Sequence, residues 1–182
     1  MNSTAKVLAV HLDSKHRFSK ETVSEIKLLE GLGVAGDAHA GTTVQHRSRV
    51  KADPSQPNLR QIHLIHQELF DWLTQKGYSV KPGELGENVT TTGIDLLGLP
   101  KGTLLELGPE SVVEVTGLRN PCSQIDSFQH GLLKHLVGYD ESGELVRRAG
   151  IMGIIHHGGT VKPGDKIGIV IPKGKHETLE RV

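Results

Sequence analysis

The chain has 182 residues, 36% hydrophobic but only 3% aromatic, with 21 Lys+Arg set against 21 Asp+Glu. That length suits one domain around an aliphatic core. A formal net charge of zero argues against a general nucleic-acid binder or a membrane-surface protein, since both need a positive field.

In chain order, the opening stretch MNSTAKVLAVHLDSKH shows no long apolar run with a cleavage pattern. No window approaches the roughly 20 apolar residues a membrane span needs. With a single cysteine, Cys122, no intrachain disulfide can form, so a reducing compartment is favoured and a cytoplasmic protein is expected. KVLAVHL (6–12) and EIKLLE (25–30) read as strands. GLGVAGDAHAG (31–41) packs four glycines into one loop, among them Gly36. Such a loop can turn several backbone N–H groups toward an anion, while Asp37 and His39 add a carboxylate and an imidazole. It also reads simply as tight β-turns. QHRSRVK (45–51), with Arg47, is a local basic patch expected to be a solvated loop.

QIHLI (61–65) predicts another strand, followed by a helix over HQELFDWLTQKG with Leu69, Phe70 and Leu73 on one face and a stop at Gly77. KPGELGENVTTTGIDL (81–96) places Glu87 and Asn88 at the mouth of the strand ENVTTT. TLLEL (103–107) and SVVEVTGL (111–118) continue the β pattern. A second helix is predicted after Cys122, with Ile125, Phe128, Leu132 and Leu136 at helical spacing. GIIHH (153–157) and DKIGIVI (165–171) close the pattern across the turn HHGGTVKPGDKI, and residues 172–182 read as a polar, frayed tail. Short strands between Gly- and Pro-rich turns define a mainly β fold, a barrel or sandwich with a few short helices.

Cys122 falls at the change from strand to helix, in TGLRNPCSQIDSF. Ser123 and Asp126 have the spacing of a capping pair, which puts Cys122 just before a helix N-terminus and its unpaired N–H groups. That partial positive charge and Arg119, three residues upstream, favour thiolate over thiol, and the thiolate is the form that binds metals and attacks electrophiles. A lone cysteine also serves as a small buried apolar residue, and local context leaves both readings open. The 11 histidines show no i, i+4 pair on one helix with a flanking carboxylate, so they read as scattered and not as a zinc site.

Taken together and in order, GVAGDAHAG, PGELGENVTTTGIDL, GTLLELG, EVTGLRNPCSQID and GIMGIIHHGGTVKPGD resemble the MOSC family, the molybdenum cofactor sulfurase C-terminal domain. The likeness is greatest to its small stand-alone bacterial members, the YiiM-like proteins. It runs over residues 6–171, and PGELGEN and RNPC are its most specific parts. The resemblance implies a β-rich fold like the barrel domain of pyruvate kinase, with Cys122 at the position of the family cysteine. In catalytic relatives that cysteine is a ligand of molybdenum in a pterin-bound cofactor, and those enzymes reduce N-hydroxylated compounds such as amidoximes and hydroxylaminopurines. Other relatives carry sulfur as a cysteine persulfide. Pyridoxal phosphate belongs to the separate sulfurase domain, for which this chain has no room, so it is not expected.

Three functions therefore stand at this point. The first is a molybdenum-dependent reductase in which Cys122 binds the metal. Arg119, Asn120, Asn88, Glu87, Gly36 and Arg47 hold cofactor or substrate, and His39 and Asp37 move protons. The second is a sulfur carrier using a Cys122 persulfide. The third is a non-catalytic module that binds the pterin cofactor. Expected partners are a small-molecule substrate and an external electron-donor protein, with a homodimer as a further option and neither nucleic acid nor membrane.

Overall fold

A computed structural model describes residues 5–182. The first four residues of the opening stretch lie outside the described residues. The elements in order are β1 (Lys6–Leu12), β2 (Glu21–Val23), β3 (Ile26–Leu29), β4 (Gly33–Val34), α1 (Arg47–Ala52), β5 (Ile62–His66), α2 (Gln67–Gln75), β6 (Val89–Thr92), β7 (Leu104–Leu107) and β8 (Ser111–Leu118). They continue with α3 (Gln124–Phe128), α4 (Leu133–Leu136), β9 (Val137–Tyr139), β10 (Leu145–Arg147), β11 (Ile151–His157), β12 (Gly159–Val161) and β13 (Ile167–Val170). The expected mainly β architecture is what forms.

The large sheet runs β13-β7-β8-β11-β5-β6-β1-β2. It closes on itself because Val7 N–H donates to Asp165 O at 2.8 Å and Ile167 N–H to Ala5 O at 3.0 Å, joining β1 to the start of β13. Closure gives every interior position a partner. Alternating residues such as Val113 and Val115 on β8, Leu105 and Leu107 on β7, and Val7 and Val10 on β1 fill the barrel at no more than 1% exposure. The parallel pairing of β5 with β6 requires a crossover, and α2 supplies it. The face predicted for α2 is the face it buries, with Leu69, Phe70 and Leu73 packed on Ile65, Val80 and Leu85 outside the barrel. Burial of each contributes on the order of 1.5–3 kcal/mol.

Several expectations are corrected. The helix predicted after Cys122 is two pieces, because Gln129 leaves the helical region (φ −141, ψ 121) and ends α3, and Gly131 at φ +79 follows before α4 begins. Ser123 is not a cap. It sits in the right-handed helical region (φ −60, ψ −20), from which its side chain makes no capping bond, whereas a capping serine needs extended backbone. The carbonyl of Cys122 receives the Ile125 N–H instead, at 3.1 Å, and Asp126 accepts from Leu133 N at 2.8 Å. The basic stretch expected as a loop is helix α1, none of whose residues is buried. Residues 172–182 are not frayed: Leu118 N–H donates to Glu180 O at 2.7 Å, Val182 N–H to Leu118 O at 3.2 Å, and Lys101 N–H to Glu177 O at 2.9 Å. The tail thus lies along β8 directly over Gly117, where any side chain would strike Val182.

Candidate functional site

Adjacent strand ends and the loops between them enclose a cavity of about 480 Å³. Residue 63 comes from β5, Asn88 from the entry to β6, Met152 from β11, and Arg119, Asn120 and Cys122 from the chain leaving β8. The loop after β1 adds His16, Arg17 and Lys20; the glycine loop and its continuation add His39 and His46; α1 adds Arg47, Ser48 and Arg49; Arg60 precedes β5.

Asn88 is the bracket of this arrangement. Its backbone bonds β1 and β5 together, accepting from His11 N at 2.8 Å and donating to His63 O at 2.8 Å. Its side chain accepts from His63 N at 3.2 Å and donates to Asp37 Oδ2 at 3.0 Å, which ties the glycine loop to the barrel. Asp37 is buried behind the wall and receives further bonds from His39 N at 2.9 Å, the His39 ring Nδ1 at 3.1 Å and Asp13 N at 3.3 Å, together with an ion pair to the Lys20 ammonium. Burial alone would push its carboxyl up, but the His39 hydrogen bond and Lys20 outweigh that and hold it well below the usual carboxylate range. The His39 ring is thereby fixed on its Nδ1 side, faces His46 at 4.4 Å between ring centroids, and meets the edge of His16 at 5.1 Å.

Charge is segregated here. Among the described residues, six cations line the cavity, Arg17, Lys20, Arg47, Arg49, Arg60 and Arg119, and no Asp or Glu does. Among the described residues, ion pairs occupy Arg17 (with Asp13 and Glu21) and Lys20, while Arg47, Arg49, Arg60 and Arg119 make none. These cations act on one another and on the nearby rings. Burial and the neighbouring Arg49 and Arg119 bring Arg60 down to about 10. Burial and the charges of His39, Arg60, Arg119 and Lys20 bring His46 down to about 2. Arg119 is lowered by burial, against the opposing pull of the Cys122 sulfur and the Glu87 carboxylate. Two buried polar atoms of this wall, Arg119 Nη1 and His46 Nδ1, have no hydrogen-bond partner. Such a surface is complementary to an anion.

Cys122 is half-buried on the same wall, with only a long contact from Sγ to Gln124 Oε1 at 3.6 Å. Of the residues singled out from sequence, Cys122, His39, Arg119, Asn120, Asn88 and Arg47 meet at the cavity. Asp37 lies behind it, Glu87 is fully buried beneath it, and Gly36 forms a positive-φ turn away from it. Sequence reasoning missed His16, Arg17, Lys20, His46, Arg49 and Arg60. The run of basic residues around Arg47 without an acidic neighbour was the available signal for Arg49. The histidines read as scattered are in part gathered, with His16, His39, His46 and His63 on one wall.

This closed barrel with a crossover helix and a cation-lined cavity places the chain in a known structural class. Its fold matches the YuaD protein of Bacillus subtilis with a TM-score of 0.74 at 24% identity, covering 91% of this chain and 94% of that one. It is also similar to YiiM from Geobacillus stearothermophilus (0.64, 17% identity, 91% and 75% covered) and to YiiM from Escherichia coli (0.62, 16%, 94% and 73%). The MOSC domain profile matches residues 36–168, and the chain belongs to the MOSC domain family. No curated protein matches the chain. No helix of the described residues is long and apolar enough to cross a membrane.

Proposed function

We propose that the cavity binds a molybdenum–pterin cofactor with Cys122 as the metal's protein ligand, and that the loaded protein reduces N-hydroxylated compounds. The observation that carries this reading is the placement of the chain's one thiol in a cavity where Arg47, Arg49, Arg60 and Arg119 make no ion pair among the described residues. A soft sulfur donor suits a thiophilic metal. Arg119 and Arg60, with unspent charge, and the backbone and side chain of Asn120 suit the phosphate of the pterin; the unpartnered Arg119 Nη1 is a donor that such a group would satisfy.

When bound, the cofactor supplies two-electron redox chemistry. The protein's own residues then bind, orient and protonate. Cleavage of the N–O bond converts R–NHOH, two protons and two electrons into R–NH2 and water, the electrons coming from an external donor protein. His39 is the proton donor on the wall, because its Nδ1 is anchored by Asp37 and its ring is held between His16 and His46. Asp37, held ionised by Lys20, positions it. Arg47 and Arg49 on α1 line the cavity without being buried, and their charge draws anionic ligands inward.

The test is metal analysis of protein made in a host that synthesises the cofactor. Wild type should carry molybdenum, Cys122→Ser should lose it, and the loaded protein should reduce an amidoxime or hydroxylamine in the presence of a reductant. Metal retained by Cys122→Ser would refute the ligand assignment. An added sulfur on Cys122 by intact mass, without molybdenum, would assign the site to sulfur transfer instead.

A further inference from the structure

We infer that helix α1 is the docking face for the electron donor, and that this donor is a small carrier protein whose acidic surface seats on Arg49, Val50 and Lys51 beside the cavity. The inference rests on the reductase reading, in which each N–O bond broken consumes two electrons from outside the chain. Two reduced carriers each lose one electron per bond broken, and the substrate takes up both electrons with two protons.

The loop that carries α1 holds a surface outward. Its base is clamped by Val44 N–H to Gln56 O and Asn58 N–H to Thr42 O, both at 3.0 Å, with a further bridge between Thr43 and Pro57. The helix itself buries no residue. A single helix of this length is marginal in water without packing. Ordering it costs chain entropy that its own burial does not offset, and a partner that covers it supplies the missing contacts.

Charge on this loop is one-sided. Between Gln45 and Arg60 stand four cations, Arg47, Arg49, Lys51 and Arg60, against one acid, Asp53, in a chain whose total is zero. Asp53 is turned to Ser55, accepting from its N–H at 3.0 Å and its hydroxyl at 2.6 Å. Among the described residues none of the four cations makes an ion pair, whereas Arg17 makes two. The surface also extends past the cavity. Val50 and Lys51 do not line it, nor does Leu59 at the clamped base, and Val50 and Leu59 are 39% and 45% exposed. A small ligand inside the cavity does not reach these groups, but a protein does. Exposed aliphatic side chains among cations suit an interface that is steered by charge and held by apolar contact. Arg47, Ser48 and Arg49 share the cavity lining with Cys122, so a carrier seated on α1 stands next to the compartment where the electrons are used. That proximity matters because electron transfer slows steeply with separation. The zero net charge of the chain favours a protein over a nucleic acid as the occupant.

Two measurements test the docking face. The first needs no turnover: nitrogen-15 NMR of the full-length protein titrated with a flavodoxin and, separately, with a plant-type ferredoxin, both acidic carriers. Docking predicts amide shifts concentrated at residues 47–52, with affinity weakened about tenfold in Lys51→Glu and falling as ionic strength rises to about 0.15 M. Failure of both carriers to bind, shifts that fall elsewhere, or affinity indifferent to Lys51→Glu overturns the inference. So does a single-stranded oligonucleotide that binds the same amides more tightly than either carrier, which assigns the face to nucleic acid. The second measurement uses the cofactor-loaded protein. Lys51→Glu should reduce an amidoxime about tenfold more slowly than wild type with the reduced carrier, and at the wild-type rate with dithionite, a small reductant that needs no docking. Equal carrier-driven rates in the two proteins, or an equal loss with both reductants, overturns the inference. Turnover with dithionite but not with a bound carrier overturns the docking role and leaves the reductase reading standing. Absence of turnover with dithionite in wild type removes the reductase reading, and the titration then decides the docking face by itself.

Discussion

Asp37→Asn is the most informative single change in the described structure. Wild-type Asp37 has a side chain 2% exposed and Lys20 one 3% exposed, so the pair is shielded from water on both sides. Asparagine keeps the shape and some of the hydrogen bonds but leaves the Lys20 ammonium buried beside other cations with no counter-charge. Breaking a buried pair from one side costs about 3–5 kcal/mol. That is a large part of a typical folding free energy of about 5–15 kcal/mol. Urea unfolding at neutral pH should show this loss, and Lys20→Met combined with Asp37→Asn should be less destabilised than the sum of the two single variants. The pH dependence has a definite sign. Because the folded carboxyl is held below its ordinary value of 3.8, its contribution is complete above that pH and is lost as pH falls below it. The gap between wild type and Asp37→Asn should therefore be constant from neutral pH down to about 5 and narrow below about 4. A gap under about 1 kcal/mol at neutral pH, or one that widens in acid, would refute the account of Asp37 as a buried, ionised anchor.

Gly83→Ala should lower stability by about 1–3 kcal/mol, read as a fall in melting temperature, since Gly83 has φ +87 and a Cβ would press on His11 and the Lys20 carbonyl. The ring resonances of His11 and His46 should stay flat in NMR between pH 6.5 and 8, because burial lowers both, to about 4 and about 2. Since the unfolded chain protonates these rings near 6.5 and the folded one does not, stability should fall as pH drops below that value. Deleting residues 177–182 should speed hydrogen exchange at the Leu118 amide, measured by mass spectrometry, because that N–H now bonds Glu180 O.

Legibility in the sequence followed the range of the interaction that fixes each feature. β8 was readable because burial alternates from Ser111 to Val115, and α2 because Leu69, Phe70 and Leu73 fall on one helical face. The short strands β2, β4, β9 and β10 carry no such pattern; pairing with distant partners defines them. The interrupted helix after Cys122 was misread because its apolar spacing persists across Gln129 and Gly131, whose extended and left-handed backbones the spacing does not reveal. Within the site, Cys122 and Arg119 stood out from local context. Lys20, His46 and Arg60 did not, because each gains its meaning from neighbours brought in by the closed sheet. The capping role given to Ser123 failed on backbone conformation, which the Ser–Asp spacing does not determine.

Helix α1 contributes no buried side chain, and backbone bonds such as Val44 N–H to Gln56 O and Asn58 N–H to Thr42 O clamp the loop that carries it at the base. Its sequence is thus free of the demands of folding while lending Arg47, Ser48 and Arg49 to the cavity lining. A library randomised from Arg47 to Lys51 should stay folded almost throughout and diverge in what it admits, so that ligand preference in this scaffold can be re-tuned without touching the barrel beneath.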